Sequence, residues 1–298
     1  MIDFGALGIA INQNGPTEQR VACPQCSKRQ RDDSLGANLE TGAFHCFRCN
    51  WSGRAGGEAN APYAAIAHID DPAIAARKRE RLRKAWRESL ALSNPKARAV
   101  RAYLASRALG EVLRDPPETL RAHPALSYWD GPNDLGKFPV MLALFHAGDG
   151  KPISLHATFL QCNGHEKARV PSPKKLLGVA LRGTTRGGAI RLHTPGYGVI
   201  GLGEGIETAL SLCLLRKIPV WSAYCAGNLE RIILPNDLRE VHIAVDLDEN
   251  DIGEQTARAL ASRIAKASPP TKVYLVRPER EAPGDLNDQL MNARVGAS

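Results

Sequence analysis

The chain has 298 residues, 43% of them hydrophobic and 5% aromatic, with a formal net charge of +8 at pH 7. That length and apolar content suit about two domains with buried cores, and the charge points to an acidic partner such as nucleic acid, nucleotides or an anionic membrane. No run reaches the ~18 apolar residues of a membrane span, and Met1 to Ile11 carries Asp3 without a basic leader or cleavage pattern, which argues against export and for a cytoplasmic protein.

Seven cysteines, an odd number, argue against a disulfide framework. Four of them form Cys23-Pro24-Gln25-Cys26 and, after 19 residues, Cys46-Phe47-Arg48-Cys49. Each Cys-x-x-Cys sets two thiolates on one knuckle, where they take two corners of a tetrahedron, so the spacing is that of a structural Zn2+ site. Free thiols or a redox pair would be the alternative use. Gly36, Asn38 and Thr41-Gly42 supply turns for a small ribbon too short to fold without metal. His45 reads as a neighbour on the ribbon surface, and Cys213 as a small core residue. Arg29, Arg31, Arg48 and Trp51 offer phosphate contacts and a stacking face, although a solvated surface would carry the same residues.

Arg54 to Pro62 is Gly- and Ala-rich and reads as a flexible linker that lets the cysteine module swing. Asp71-Pro72 then opens a helix with Leu82, Trp86 and Leu90 on one face and a dense basic surface from Arg77 to Arg87. Such a surface is either solvated or grips a nucleic-acid backbone in a salt-sensitive way. Asn94-Pro95 caps a second helix in which Val100, Tyr103 and Leu104 share a face and Gly110 marks the end. Pro139 to Phe145, the turn Gly148-Asp149-Gly150 and Ile153 to Leu160 read as a hairpin. In its second strand Ser154, His156 and Thr158 form a polar face; His156 reads as a structural polar residue, with an acid–base role open. After the Asn163-Gly164 turn comes a cationic segment with Lys167, Arg169, Lys174, Lys175 and Arg182.

Val199-Ile200-Gly201-Leu202 is a buried strand running into Gly203-Glu204-Gly205, a turn that holds Glu204, and Ile206 to Arg216 is a mostly buried helix. Pro219 to Ala223 follows as a further strand, and Val241 to Val245 is an apolar strand that ends on Asp246-Leu247-Asp248. In a parallel sheet both carboxyl ends fall on one edge, so Glu204, Asp246 and Asp248 converge there. Three such carboxylates repel unless a cation sits among them, which favours Mg2+, with Mn2+ as a substitute. Plain helix-capping by aspartate is the alternative. Gly253, Ala257, Leu260, Ala261 and Ile264 mark an amphipathic helix, Lys272 to Arg277 a strand, and Gly284-Asp285-Leu286-Asn287-Asp288 a late acidic stretch. Strands alternating with helices argue for a parallel sheet. There is no Gly-rich loop ending Gly-Lys-Ser/Thr, so no helicase motor is expected in this sequence.

The strand-Glu-Gly-helix unit followed by strand-Asp-x-Asp resembles the Toprim fold of bacterial-type primases, topoisomerases, recombination mediators and some nucleases, over about Val199 to Leu290. Phe44 to Gly53 resembles the last knuckle of the primase zinc-binding domain, and the four-cysteine set is that of phage primase-helicases. More loosely, the central region resembles the basic RNA-polymerase-like subdomain that precedes Toprim in primases. The resemblance implies an α/β protein in four parts: a zinc ribbon over 1–53, a linker over 54–72, an α+β basic subdomain over 73–195, and over 196–298 a Toprim parallel sheet with helices on both faces.

The function implied is a DNA primase, similar to those of phages, plasmids and other mobile elements, making short primers on single-stranded DNA from nucleoside triphosphates. Cys23, Cys26, Cys46 and Cys49 would hold zinc; Glu204, Asp246 and Asp248, with Asp285, would hold magnesium; Lys167, Lys174 and Lys175 would grip template or nucleotide. A replicative helicase acting in trans is the further partner expected, and a membrane is not. Asp288 reads as a cap of the last helix. A non-catalytic recombination and repair mediator, or a Toprim nuclease, are the alternatives; mediators are shorter and lack the basic subdomain. A type I topoisomerase is disfavoured because no tyrosine sits in an evident nucleophile motif.

Overall fold

A computed structural model describes residues 2–25, 34–46, 51–56, 72–130, 133–178, 185–247, 251–266, 271–279 and 284–295. The chain divides into two compact units, Met1–Ile69 and Asp70–Ser298.

The first unit is an antiparallel sheet in chain order, β1 (Glu18–Val21), β2 (Leu35–Asn38), β3 (Ala43–Cys46) and β4 (Ser52–Arg54). The β2–β3 turn forms where the sequence places it. The Asn38 side-chain carbonyl accepts from the Thr41 N–H at 2.8 Å and the Thr41 hydroxyl at 3.0 Å, and Gly42 supplies a φ of 71°. The core of this unit is small, with Phe4, Leu35 and Phe44 packed around Cys23 and Cys46.

The second unit opens with α1 (Pro72–Arg87), β5 (Leu90–Ala91) and α2 (Arg98–Ser106). Next come β6 (Leu120–Asp130), β7 (Asn133–His146), β8 (Pro152–Phe159), β9 (Lys174–Leu176) and β10 (Ala189–Arg191). Its last part is β11 (Val199–Gly203), α3 (Ile206–Arg216), β12 (Val220–Ser222), α4 (Ala226–Leu229), β13 (Glu240–Ala244), α5 (Ile252–Ala265), β14 (Lys272–Val276) and α6 (Leu286–Val295). One sheet of 10 strands runs through the unit in the order β14-β13-β11-β12-β10-β7-β6-β5, with β8 added on β7 and β9 on β8. The four strands β11, β12, β13 and β14 are mutually parallel, and β10 turns antiparallel against β12. The unit is thus α/β, with α3 and α6 packed in the core on one face of the parallel part and α4 and α5 in the core on the other.

Several expected boundaries move. The first basic helix stops at Arg87, where the Ser89 hydroxyl donates to the Trp86 carbonyl at 2.6 Å, and Leu90 leaves the helix to pair with Ala122 in the sheet. The Asn94 side chain closes a local turn onto the Lys96 N–H at 2.9 Å, so α2 begins later, at Arg98. That helix ends at Ser106, and Gly110 starts a separate 3-10 turn. Strand β6 was hidden in the sequence because Pro124 interrupts its pattern; the register with β7 shifts between His123 and Leu126. The polar side of β8 exists, but Ser154, His156 and Thr158 are buried.

Candidate active site

Neighbouring parallel strands β11 and β13 pair from Val199–Glu240 to Leu202–Ile243, so their carboxyl ends emerge side by side and deliver Glu204 and Asp246 to one edge. Two glycines make this possible. A Cβ on Gly203 would lie 2.7 Å from the Ala209 nitrogen, so only glycine lets α3 start this close to the strand. A Cβ on Gly253 would lie 2.1 Å from the Asp246 carbonyl oxygen, so glycine also lets the first turn of α5 tuck beneath Asp246. The Ser222 hydroxyl donates to the Glu204 carbonyl at 2.9 Å and fixes the turn.

The late acidic stretch reaches the same edge through a backbone bridge. Leu247 N–H donates to Gly284 at 2.9 Å and Gly284 N–H donates back to Leu247 at 2.8 Å, which brings Asp285 beside the Asp246 turn. Asp285, rather than Asp288, caps α6: its Oδ1 accepts the Asn287 N–H at 2.7 Å and the Asp288 N–H at 3.0 Å. Asp288 completes a reciprocal capping box by accepting the Asp285 N–H at 3.1 Å. The other Asp285 oxygen accepts the Thr208 hydroxyl at 2.8 Å.

The result is a cleft of about 110 Å³ in which Glu204, Asp246, Asp285 and Asp288 meet Arg107, Lys167 and Lys174. Glu207 anchors its floor. Its Oε1 accepts the Tyr103 hydroxyl at 2.6 Å and lies 3.5 Å from the Lys167 ammonium. Burial alone would raise the Glu207 carboxyl, but Lys167, Lys174 and the Tyr103 hydroxyl hold it down at about 2. Burial pushes the Lys167 ammonium below its ordinary value while Glu207 opposes the shift. Burial also pushes His156 down to about 4, against the pull of Glu207 and with Lys174 and Lys167 adding to the shift. At neutral pH His156 is therefore an uncharged ring behind a charged network.

Of the expected site residues, Glu204, Asp246, Asp285, Lys167 and Lys174 line one cleft. Lys175 turns away: its ammonium sits 3.6 Å from the Tyr128 ring centre and donates to the Trp129 carbonyl at 2.8 Å. Cys23 and Cys46 are fully buried in the core of the first unit, where Trp51 packs on Phe44 at 4.5 Å. Asp248, Cys26, Cys49, Arg29, Arg31, Arg48 and Arg182 lie outside the described residues. Sequence reasoning missed Arg107, Tyr103, Glu207, Thr208 and Tyr224. Glu207 carried a signal, since it is an acidic residue in the first turn of α3, directly after the turn that holds Glu204; Arg107 carried none.

Among the described residues no three His, Cys, Asp or Glu side chains gather into a metal-binding group. The cleft nevertheless presents carboxylate oxygens alone as anionic donors, and Mg2+ needs only one or two of these, filling its shell with water and phosphate, so the donor chemistry fits. Thiolate donors fit Zn2+, and the two described cysteines of the expected set share one buried core with no disulfide between them.

The family model described as a Toprim domain matches residues 199–294, and one described as a domain of unknown function (DUF7146) matches residues 76–187. No curated protein matches the chain. The chain is similar to the solved primase fragment of the bacteriophage T7 primase-helicase protein, at 14% identity over 93% of this chain and 96% of that one, with a TM-score of 0.42. It is similar to the Aquifex aeolicus primase, zinc-binding and RNA polymerase domains, at 15% identity over 96% and 80% of the two chains, with a TM-score of 0.40. For the RNA polymerase domain of Mycobacterium tuberculosis primase the values are 13%, 76%, 81% and 0.42. Glu204, Asp246 and Asp285 all fall inside the stretch that matches the Toprim domain.

Proposed function

We propose that the chain is a DNA primase that joins nucleotides on a single-stranded DNA template by magnesium-dependent nucleotidyl transfer. The observation that carries this reading is the cleft itself, where strand-end carboxylates face Arg107, Lys167 and Lys174. An acidic edge alone would hold a cation, and a basic edge alone would hold phosphate. Both together suit a metal–triphosphate.

Glu204 and Asp246, with Asp248 and Asp285, would hold the ion. Bound magnesium would lower the cost of negative charge on the attacking hydroxyl and on the departing pyrophosphate. The protein's own groups do the rest. Glu204 would serve as a ligand, and it is the candidate acceptor for the proton of the attacking hydroxyl. Lys167, Lys174 and Arg107 take the phosphate oxygens, and Glu207 with Tyr103 keeps the Lys167 ammonium at the cleft, so that little reorganisation is needed when substrate arrives. Thr208 and the α6 cap occupy Asp285 with three hydrogen bonds, which keeps its carboxylate in one orientation. In the first unit Cys23, Cys26, Cys46 and Cys49 would hold zinc and present the ribbon to the template, and a replicative helicase in trans would open it.

Incubation of the protein with single-stranded DNA, magnesium and labelled nucleoside triphosphates, beside a Glu204→Gln variant, tests the proposal. Short oligomers made by the wild type alone support it and reveal which sugar is accepted. DNA that is bound or cut without any synthesis across varied templates overturns it.

A further inference from the structure

Tyr224 lines the cleft and has no task in nucleotidyl transfer. It follows β12, which flanks β11 on the side away from β13, so it emerges on the far side of Glu204 from Asp246. Its backbone is left-handed, with φ at 63°, a conformation that bulky L-residues avoid. Strained backbone at a cleft persists only where the surroundings enforce it. Here Ser222 does so: the hydroxyl that donates to the Glu204 carbonyl also accepts the Tyr224 N–H at 3.2 Å, tying the tyrosine to the turn that presents Glu204. The ring is held as well, edge-on against the buried Phe145 at 5.2 Å and 87°.

Among the described residues that line the cleft, Tyr224 is the sole aromatic; apart from Gly205 the others are polar or charged. A ligand there meets charge on most walls and one aromatic side chain, itself partly buried against the core. Nucleotides have that division, an anionic phosphate half and a nucleoside half that carries a flat base. We propose that Tyr224 is the contact for the sugar–base half of a nucleotide whose phosphates lie among Lys167, Lys174 and the carboxylates, and so a specificity-determining residue. The proposal rests on the nucleotidyl-transfer reading.

Calorimetric titration with magnesium present would compare a nucleoside triphosphate with inorganic tripolyphosphate, which keeps the charge and lacks the sugar and base. Tyr224→Leu is expected to weaken nucleotide binding about tenfold, as for loss of one stacking contact, and to leave tripolyphosphate within about twofold. Tyr224→Phe, which keeps the ring, should bind both like the wild type. Equal loss of both ligands in Tyr224→Leu would mark a structural role and overturn the proposal, as would full nucleotide affinity in that variant or a lost affinity in Tyr224→Phe. Photolabelling of the wild type with an azidopurine triphosphate needs no variant to fold, and should mark the tryptic peptide from Ile218 to Arg231. A label placed only elsewhere would overturn the contact. Tyr224-dependent nucleotide binding without primer synthesis would overturn the function and leave the contact standing.

Discussion

The two units of this chain place their reactive side chains in opposite ways. In the first, Cys23 and Cys46 are themselves core residues, fully buried among a few apolar neighbours. In the second, Glu204, Asp246 and Asp285 sit at the edge of a sheet whose three apolar cores close without them. If, as proposed, Cys23 and Cys46 are metal ligands, the first unit should depend on its metal to fold. Where the ligands ride on a core that is already closed, the site can be altered and the fold retained.

The sharpest way to break this contrast is to remove metal. If the proposed zinc site is present, chelation at neutral pH should erase hydrogen-exchange protection from β1 to β4 and leave β11 to β14 protected, since such a site contributes on the order of 10 kcal/mol to folding. Cys46→Ser should do the same and impair initiation more than extension of a supplied primer. Protection that survives in β1 to β4 would mean that the small core suffices. Next in size, Glu204→Gln should lower primer synthesis by about 100-fold or more with an unchanged melting temperature, because its carboxylate lies at an edge the core does not need. A large fall in melting temperature would erase the distinction between the units.

Glu207 sharpens the comparison from within the second unit, since it is a cleft residue that is also buried. Glu207→Gln strands Lys167 and weakens the Tyr103 bond, and should cost about 2–4 kcal/mol in denaturant unfolding. The wild-type carboxyl has its pKa lowered from 4.5 to about 2, so its contribution is present above about pH 4.5 and is lost as pH falls towards 2. The variant should show a flatter stability profile over that window. His156 acts at milder acidity. Its folded value is about 4 against an ordinary 6.5, so the unfolded chain binds the extra proton and stability falls as pH drops from 6.5 to 4. His156→Leu should reduce that slope by at most about 1.4 kcal/mol per pH unit. The smallest effect is at the α6 cap, where Asp285→Ala should cost about 1 kcal/mol and Asp285→Asn only a fraction of it. Loss of synthesis in Asp285→Asn, with stability kept, would assign the carboxylate to the ion rather than to the helix.

Where a signal is local the reading of the chain matched the fold closely. The helix expected from Ile206 to Arg216 is α3 residue for residue, and the glycines around Glu204 make the turn they imply. The Asn38–Gly42 turn is equally local. Reading failed where a neighbour far away in sequence decides. Leu90 continues a helical repeat yet joins the sheet, because β6 offers it a partner at Ala122. Tyr103 looked like one more apolar position on α2, and its hydroxyl gains meaning only from Glu207, 104 residues further on. The polar side of β8 was legible as alternation, but its burial depends on what lies over it.

By itself the sequence determined the strand–turn–helix unit, the carboxylates at strand ends and the basic residues before them, since these follow from backbone geometry within a few residues. Tertiary structure decided that β13, and not β12, lies on the side of β11 where Glu204 and Asp246 meet. It also decided that the Leu247–Gly284 bridge carries Asp285 to the same edge, and that Arg107 and Tyr224 complete the cleft. Such juxtapositions are set by packing and hydrogen bonding between elements distant in the chain, and no local pattern encodes them.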